Sequence, residues 1–375
     1  MNTSDLAPQG REPNSPRLVR SVLWRGAALA FAGILLGSAI TPAPALDRRP
    51  AAAPDPAGSS AATAGSLLAG LMNLASVTIV DPSTYTLEDS LRFLGRDGRF
   101  TILLLGSDAR LGRLAGRTDS MIVASVDPVT RKAAAFSIPR DMVNFPLPGG
   151  KRYTGKINAL YLTLAHSPTY SIRRNPGLAL RRIIGAAFGI EIDAYALLGF
   201  TGFRALVNKV GGLDVYVPRR LYDPWYSIRS GVRGIVFPRG LNHLRDLRAL
   251  AYARIRHVDN DYARARRQQQ LVVSAVGKVQ ARGLDALGLL IAASSGLVKT
   301  DMQLAYAPLA FAIVGRADLA HAPRTVFGPR IFAISVGGTN NMLKLSACRL
   351  WIRQYFPQSH FLGKWLPPAP PPPGP

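Results

Sequence analysis

The stretch Phe100-Thr-Ile-Leu-Leu-Leu-Gly-Ser-Asp108 decides the fold of this chain. Its apolar run ends at Gly106, which is typical of a strand buried on both faces of a sheet. Asp108 follows this strand directly, at the kind of boundary where α/β proteins place their ligands. The stretch therefore predicts a central strand with a polar site at its end.

Strand and helix patterns alternate along the rest of the chain, from about residue 90 to residue 355. Strands are predicted at 100–105, 120–126, 133–138, 194–199 and 213–217. Helices are predicted at 156–165, 178–188, 201–210, 244–254 and 262–279. This alternation predicts an α/β domain whose central sheet is covered by helices on both faces.

The first part of the chain carries a membrane signal. An apolar run is preceded by four arginines, Arg11, Arg17, Arg20 and Arg25. Such a positive flank keeps the amino terminus in the cytoplasm and sends the following chain outward. We expect a basic cytoplasmic tail at 1–21 and a transmembrane anchor at 22–41. The alternative is a signal sequence cleaved near Ala43-Pro-Ala45. With the anchor, the protein is a single-pass protein of the cell membrane with an extracytoplasmic main domain.

The remaining boundaries follow from composition. Residues 42–90 form a predicted linker and accessory segment, since 41–60 are rich in proline, alanine and serine. Leucines at helical spacing within 61–80 predict an amphipathic helix. If that helix spanned the membrane instead, the main domain would return to the cytoplasm. The main domain is predicted at 91–357, and 358–375 form a proline-rich tail without a core.

The net charge and the cysteine content limit the classes of protein that fit this sequence. The formal net charge of +24 implies an anionic partner. The alternative is that the source organism's proteins are generally rich in arginine. Cys348 is the only cysteine, which excludes an intrachain disulfide and a cysteine metal site.

Arginines gather in short stretches with uncommon neighbours. Arg140 lies in Ser137-Ile-Pro-Arg-Asp141, and Arg254 and Arg256 lie in Tyr252-Ala-Arg-Ile-Arg-His257. Guanidinium stays charged and grips oxyanions through parallel hydrogen bonds, which points to a phosphate-rich ligand. Arg254 and Arg256 share a face only in extended backbone, so we expect the preceding helix to end near residue 253.

The next predicted helix carries a second basic group. Arg264, Arg267 and Gln268 are three and four residues apart, a spacing that predicts one shared helical face. The alternative is an ordinary solvated basic face. The two histidines nearby, His243 and His257, have no carboxylate or cysteine at metal-site spacing.

Two aspartates at strand boundaries are candidate metal ligands. Asp108 and Asp119 both fall on the predicted ligand side of the sheet. Hard carboxylate oxygens beside a phosphate suit Mg²⁺, with Mn²⁺ as a second choice, because Mg²⁺ shares its ligands with substrate. The alternative is structural: Asp108 caps a turn and Asp119 pairs with Arg117.

Seven motifs in order resemble the LytR-CpsA-Psr family. They are Ile102-Leu-Leu-Leu-Gly-Ser-Asp-Ala-Arg110, Gly116-Arg-Thr-Asp-Ser-Met121, Ser137-Ile-Pro-Arg-Asp141, Lys156-Ile-Asn158, Gly211-Gly-Leu-Asp-Val-Tyr-Val-Pro218, Ala249-Leu-Ala-Tyr-Ala-Arg-Ile-Arg-His257, and Asp261-Tyr-Ala-Arg264 with Arg267-Gln-Gln269. Each motif alone is weak, but the ordered set over about residues 95–280 is specific.

The resemblance implies a fold and an activity. It implies a membrane-anchored, extracytoplasmic, three-layer α/β/α domain with a central mixed sheet and an apolar lipid pocket. It implies a phosphotransferase that moves a glycopolymer from a polyprenyl-diphosphate carrier to peptidoglycan through a phosphodiester link.

The resemblance also implies roles for individual residues. Asp108 and Asp119 match the metal-associated positions, and Asp108, Arg140 and Arg256 are the expected catalytic residues. The side chains expected to bind or support the diphosphate are Arg117, Arg140, Lys156, Arg254, Arg256, Arg264, Arg267 and Gln268. Asp108 is also the expected group for orienting or deprotonating the acceptor hydroxyl.

Three other functions are compatible with parts of the sequence. A nucleic-acid binder fits the charge, but the basic residues follow α/β loops and lie on no recognition helix, so no nucleic-acid partner is expected. A polyprenyl-diphosphate phosphatase needs the same cationic site. A non-catalytic lipid-binding protein of wall assembly is the third. The sequence leaves open the glycopolymer, the prenyl length and the oligomeric state.

Overall fold

The computed structural model describes residues 94–95, 97–108, 116–167, 175–229, 232–282, 297–303 and 306–359. The predicted cytoplasmic tail, the anchor at 22–41, the 42–90 segment up to residue 90 and the proline-rich tail beyond residue 359 lie outside these residues. Within the described ranges, no helix combines the length and the apolar character that a membrane span requires.

A six-stranded mixed sheet forms the centre of the domain. Its order is β11-β6-β1-β2-β3-β12, with parallel pairing of β1 to β6 and of β3 to β12 and antiparallel pairing elsewhere. The strands are β1 (Phe100–Ser107), β2 (Thr118–Val126), β3 (Ala133–Ser137), β4 (Phe145–Pro146), β5 (Arg152–Tyr153), β6 (Ala194–Leu198), β7 (Leu213–Val217), β8 (Leu221–Arg229), β9 (Val232–Phe237), β10 (Gly240–Leu244), β11 (Val298–Thr300), β12 (Arg324–Val326), β13 (Ala333–Gly337) and β14 (Asn340–Leu343). The other strands form two-stranded ribbons: β4 with β5, β7 with β10, β8 with β9 and β13 with β14.

Helices cover the sheet. They are α1 (Leu160–His166), α2 (Pro176–Phe188), α3 (Phe200–Lys209), α4 (Asp246–Arg254), α5 (Asp261–Arg282), α6 (Ala307–Gly315) and α7 (Leu345–Tyr355). The predicted strands and helices are confirmed to within three residues at each end, with one difference. The helix predicted at 156–165 begins as the 3₁₀ turn Ile157–Ala159 before α1.

Alternate side chains of β1 point to opposite faces of the sheet and enter two separate hydrophobic cores. Phe100 and Ile102 enter one core with buried residues of α3, α4, α5 and α6, while Leu103 and Leu105 enter the other with α1, α2 and α7. Successive strand side chains point to opposite faces, so a strand buried on both faces joins both cores. The domain is therefore an α/β/α sandwich, as predicted.

Topology brings several chain segments to one edge of the sheet. The carboxyl ends of β1 and β6 meet there because the two strands are parallel, and the start of β2 joins them because it is antiparallel to β1. Helix α5 crosses near this edge. Its buried Gln269 donates to the Ser137 hydroxyl at 2.8 Å and to the Thr325 carbonyl at 2.7 Å, which ties the helix to β3 and β12.

The opposite end of the domain is closed by the chain after α7. The buried Arg99 donates to the Pro357 carbonyl at 3.3 Å, and its guanidinium lies 3.7 Å from Asp127. Ser359 donates its backbone N–H to Asp97 and its hydroxyl to Asp127. These contacts attach the chain as far as Ser359 to the residues before β1 and after β2.

Two helical glycines give a matched test of packing. An alanine methyl at Gly177 in α2 would lie 2.2 Å from the buried Tyr195 ring, whereas one at Gly277 in α5 would enter open space. We expect Gly177→Ala to destabilise the fold by about 1–3 kcal/mol through overpacking. Gly277→Ala should stabilise it by about 0.5–1 kcal/mol through higher helix propensity. Chemical denaturation of the full chain measures both, and equal stabilities would contradict the packing described.

Candidate functional site

A cavity of about 550 Å³ opens at the edge where β1, β6 and β2 meet. The ends of α4 and α5 complete its wall. It is lined by seven of the side chains predicted to act together: Asp108, Asp119, Arg140, Arg254, Arg256, Arg264 and Gln268. Residues spread over 161 positions of sequence, from 108 to 268, therefore converge on one site.

Arg140 follows β3 and is held by three carboxylates. Its Nε lies 2.9 Å from the Asp261 carboxylate and 3.6 Å from Asp141, and a terminal nitrogen lies 3.5 Å from Asp119. Burial opposes the charge, but the three carboxylates raise the pKa of Arg140 above its already high ordinary value. The guanidinium is thus permanently charged and fixed in place.

Arg264 is the most deeply placed cation of the cavity wall. It is 7 % exposed, and a terminal nitrogen lies 3.3 Å from Asp261 one turn earlier on α5. Burial lowers the pKa of Arg264, and its neighbours Arg140 and Arg256 lower it further against the opposing effect of Asp261. Its Nε has no hydrogen-bond partner among the described residues. A buried donor without a partner is rare in folded proteins.

Arg254 and Arg256 reach the cavity because α4 stops where expected. Ile255, between them, has extended backbone at φ −54° and ψ 139°. Arg254 lies with its guanidinium 4.4 Å from the centre of the Phe200 ring and 3.4 Å from the Tyr226 hydroxyl. The Arg256 side chain is exposed and has no hydrogen-bond or ion-pair partner in the described part of the chain. The latter cation is therefore available to a ligand.

The two aspartates lie on neighbouring strands at the same edge. One oxygen of the exposed Asp108 accepts the Arg117 backbone N–H at 2.7 Å, while residues 109–115 between them lie outside the described residues. Asp119 accepts from the Asn158 amide at 2.9 Å and faces Arg140, so the alternative pairing of Asp119 with Arg117 is wrong. Over the described residues, no three His, Cys, Asp or Glu side chains are grouped for a metal ion. The donor set suits a cation that takes its other ligands from water and phosphate.

Arg267 does not line the cavity, which corrects the expectation that it shares a face with Arg264 and Gln268. The buried Arg267 guanidinium donates to the Tyr252 carbonyl at 3.1 Å, to the Ile255 carbonyl and to the Asp259 carboxylate. Adjacent helical positions differ by about 100° in direction, so Arg267 points at the chain after α4 while Gln268 points at the cavity. Arg267 is a structural residue in this fold.

Lys156 and Arg117 also lie outside the cavity lining. The Lys156 ammonium donates to Asp141 at 2.7 Å and to the Thr339 hydroxyl at 2.9 Å. Because Asp141 also faces Arg140, Lys156 helps to position that carboxylate, which agrees with a supporting role. Arg117 closes the connection between β1 and β2 by exchanging hydrogen bonds with Asp108.

The cavity contains a histidine–carboxylate pair that the sequence did not reveal. The His257 Nδ1 lies 3.0 Å from the Asp223 carboxylate, and both residues line the cavity. His243 likewise has a partner, Asp214 at 2.6 Å, although it lies outside the cavity. The two partners are 34 and 29 residues away in sequence, so spacing along the chain did not indicate either pair. The only sequence signal for the pair of His257 and Asp223 was that Asp223 is an isolated acidic residue in an apolar and basic stretch.

The back of the cavity is apolar. Leu104, Leu198, Phe203 and Leu271 line it and also line an adjoining cavity of about 110 Å³ between the sheet, α3 and α5. Every residue around the second cavity is apolar. The site therefore joins a cationic mouth to a hydrophobic interior, which suits a ligand with a charged head and an apolar tail.

Comparison with known proteins places the chain among cell-wall proteins. The model of the LytR_cpsA_psr family matches residues 76–324. The Bacillus subtilis polyisoprenyl-teichoic acid–peptidoglycan teichoic acid transferase TagV is 34% identical over 186 residues, which are 48% of this chain and 44% of TagV. The Staphylococcus aureus regulatory protein MsrR is 31% identical over 179 residues, 47% of this chain and 48% of MsrR. The chain thus spans about half the length of these relatives.

Solved structures show the same fold. The crystal structure of Bacillus subtilis TagV superposes with a TM-score of 0.54 at 25% identity, covering 69% of this chain and 97% of that one. A structure of TagT bound to LIIa-WTA has a TM-score of 0.50 at 18% identity, covering 75% and 94%. Both agree with a mixed α/β domain built on a central mixed sheet.

The different environments of two arginines predict different effects on stability. Arg267→Ala should cost about 3–5 kcal/mol, because it leaves the buried Asp259 and two carbonyls without a donor. Arg256→Ala should change the free energy of unfolding by less than about 0.5 kcal/mol, because its side chain is exposed and makes no internal pair. Denaturant titration of the two variants checks the contrast. Similar losses in both would show that the assignment of Arg267 to the scaffold is mistaken.

Proposed function

The chain belongs to the LytR-CpsA-Psr family, and on that premise we propose that it transfers a glycopolymer from a polyprenyl-diphosphate carrier to peptidoglycan. The product is a phosphodiester link. One observation carries the proposal: four arginines and two aspartates converge at the mouth of a cavity whose back is apolar. A diphosphate on a prenyl chain has both of the properties that this cavity complements.

The names of relatives support the same substrate class. TagV is named for moving teichoic acid from a polyisoprenyl carrier to peptidoglycan, and TagT has been crystallised with LIIa-WTA. The motifs that resemble the family include the segments carrying Arg140, Arg254, Arg256 and Arg264. We therefore assign to this chain a lipid-linked anionic or neutral glycopolymer as donor and a peptidoglycan hydroxyl as acceptor.

The arginines supply the electrostatic part of the reaction. A diphosphate carries crowded negative charge, and more charge develops on the bridging oxygen as the acceptor hydroxyl attacks phosphorus. Arg256 is free to contact the phosphate oxygens, and Arg264 adds a positive charge to the cavity wall. Arg140 adds a fixed charge, held by its three carboxylates. Polyprenyl phosphate then departs from a site already arranged to receive its negative charge.

Asp108 and Asp119 are the residues that would hold Mg²⁺, or Mn²⁺ in its place. Their carboxylates face one cavity, and one oxygen of Asp108 and one of Asp119 lie outside the hydrogen bonds described above. Bound Mg²⁺ would neutralise phosphate charge beside the arginines. The two carboxylates also orient Arg140 and the β1–β2 connection, so they contribute to the site in the metal-free protein as well.

The apolar interior of the cavity suits the prenyl chain of the proposed carrier lipid. Leu104, Leu198 and Leu271 offer hydrocarbon contacts at the sheet and at α5, directly behind the polar groups. Burying prenyl methylenes there stabilises the complex by about 0.8 kcal/mol for each CH₂ removed from water. This arrangement fits the expected location of the protein, a single-pass protein of the cell membrane with its catalytic domain outside.

Replacing Arg256 tests the proposal. Arg256→Ala should reduce transfer from a synthetic polyprenyl-diphosphate oligosaccharide to peptidoglycan by about 100-fold or more, because a charge that contacts the phosphate is lost. The matched control is Arg266→Ala, an exposed arginine on α5 that does not line the cavity, which should keep wild-type activity. Chromatography of lipid and polysaccharide products measures transfer. Release of the glycopolymer phosphate to water alone would identify a phosphatase, and binding without turnover would identify a lipid-binding protein.

Metal removal gives a separate test. Treatment with EDTA should abolish transfer and added Mg²⁺ should restore it, because the carboxylates alone repel a diphosphate. Asp119→Asn should raise the Mg²⁺ concentration needed for half-maximal activity by about tenfold or more, since one anionic ligand is replaced by a neutral one. The assay is a titration of transfer rate against Mg²⁺. Full activity in EDTA would remove the metal from the proposed function.

A further inference from the structure

One carboxylate in the cavity wall, that of Asp223, has no part in the electrostatic stabilisation of the diphosphate described above. Asp223 on β8 is fully buried, and its carboxylate accepts the backbone N–H groups of Trp225 and Tyr226 at 3.1 Å. The same carboxylate faces the His257 Nδ1 with both oxygens, at 3.0 and 3.1 Å. A buried carboxylate held by two backbone donors is a rigid partner for an imidazole.

This pairing leaves the other ring nitrogen of His257, Nε2, without a hydrogen-bond partner among the described residues. Nδ1 is engaged by Asp223, so Nε2 lies at the opposite edge of a ring that is half-exposed on the cavity wall. A carboxylate that accepts from Nδ1–H fixes the tautomer in which Nε2 carries the lone pair. It also stabilises the imidazolium that forms if Nε2 takes up a proton. These are the properties of an oriented general base.

We propose that His257, positioned by Asp223, is the catalytic base that takes the proton from the hydroxyl attacking the bound diphosphate. The inference rests on the proposed function, since it names the proton acceptor of that reaction. His257 follows Arg256 in the chain, so a base and a phosphate-binding cation reach the same cavity from one short segment after α4.

The step balances without any further reactant. The acceptor oxygen forms a bond to the phosphorus that carries the glycopolymer, and the bond from that phosphorus to the bridging oxygen breaks. The electron pair of the broken bond leaves with polyprenyl phosphate. The hydroxyl proton moves to Nε2, and the resulting imidazolium returns it to water or to the departing phosphate.

Other charged groups around His257 do not replace it in this role. Besides Asp223, the charged or titratable side chains lining the cavity are Tyr226, Arg254, Arg256, Arg264, Arg140, Asp108 and Asp119. The arginines are donors, and Asp119 is engaged with Arg140 and Asn158. Asp108 holds the Arg117 backbone and is a proposed metal ligand, which occupies its lone pairs. His257 lines the cavity, and its Nε2 is not engaged by Asp223, so this nitrogen is the group proposed to accept the proton.

The decisive variant is His257→Gln, which keeps a donor for Asp223 but cannot accept the proton. In the full chain, its kcat for transfer should fall roughly 100-fold, while its affinity for the donor lipid changes less than about twofold. The pH profile of kcat should differ between the variant and the wild type, because the variant lacks the proton acceptor. The control is His321→Gln, since His321 also pairs with an aspartate, Asp318 at 2.8 Å, but is exposed outside the cavity.

The possible outcomes test the role of His257 and the proposed function separately. Transfer by His257→Gln at the wild-type rate, with the wild-type pH profile, would overturn the role of His257 and leave the proposed function standing. Loss of donor affinity in step with kcat would assign His257 to phosphate binding and also overturn it. If the wild type hydrolyses the diphosphate but transfers nothing, the proposed function fails, and the same comparison on the hydrolysis rate tests His257 independently.

A second variant tests the partner. Asp223→Asn keeps an oxygen for the Trp225 and Tyr226 backbone groups but no longer stabilises an imidazolium. It should lower kcat at least tenfold, and combining it with His257→Gln should add little, because the two residues act as one unit. Circular dichroism shows whether the variant is folded. Additive losses in a folded double variant would contradict the dyad.

Discussion

The buried ion pair between Arg267 and Asp259 is the interaction on which the arrangement of the site depends. Its guanidinium also holds the Tyr252 and Ile255 carbonyls, one inside the last turn of α4 and one just after it. Those carbonyls belong to the segment that carries Arg254, Arg256 and His257 into the cavity. Fixing the end of α4 against α5 therefore fixes two cations and a base relative to the sheet.

Helix α5 is the element that unites the site with the core. Its consecutive residues face different surroundings: Arg267 the end of α4, Gln268 the cavity, and Gln269 the strands β3 and β12. Because a helix is rigid over a few residues, displacement of any one contact would move the others. The binding wall and the scaffold are thus the same element, as a preorganised electrostatic site requires.

Some cations of the site have neighbouring carboxylates that compensate their charge, and others do not. Arg140, Arg264 and Lys156 are surrounded by Asp119, Asp141 and Asp261, so most of their charge is internally compensated. Arg254 and Arg256, in contrast, face the cavity without a carboxylate partner among the described residues. The compensated group holds the geometry of the site, and the uncompensated pair attracts an anion.

The sequence by itself determined five of the strands and five of the helices, because apolar periodicity reflects which face of each element is buried. It also identified the segments that meet at the site, since parallel and antiparallel strands bring their ends to a common edge. Only the tertiary structure decided that Gln268 faces the cavity while Arg267 is buried beside it, and that Asp223 pairs with His257. The physical reason is that a side chain's direction depends on which acceptors the rest of the fold places within its reach, and those acceptors are distant in sequence.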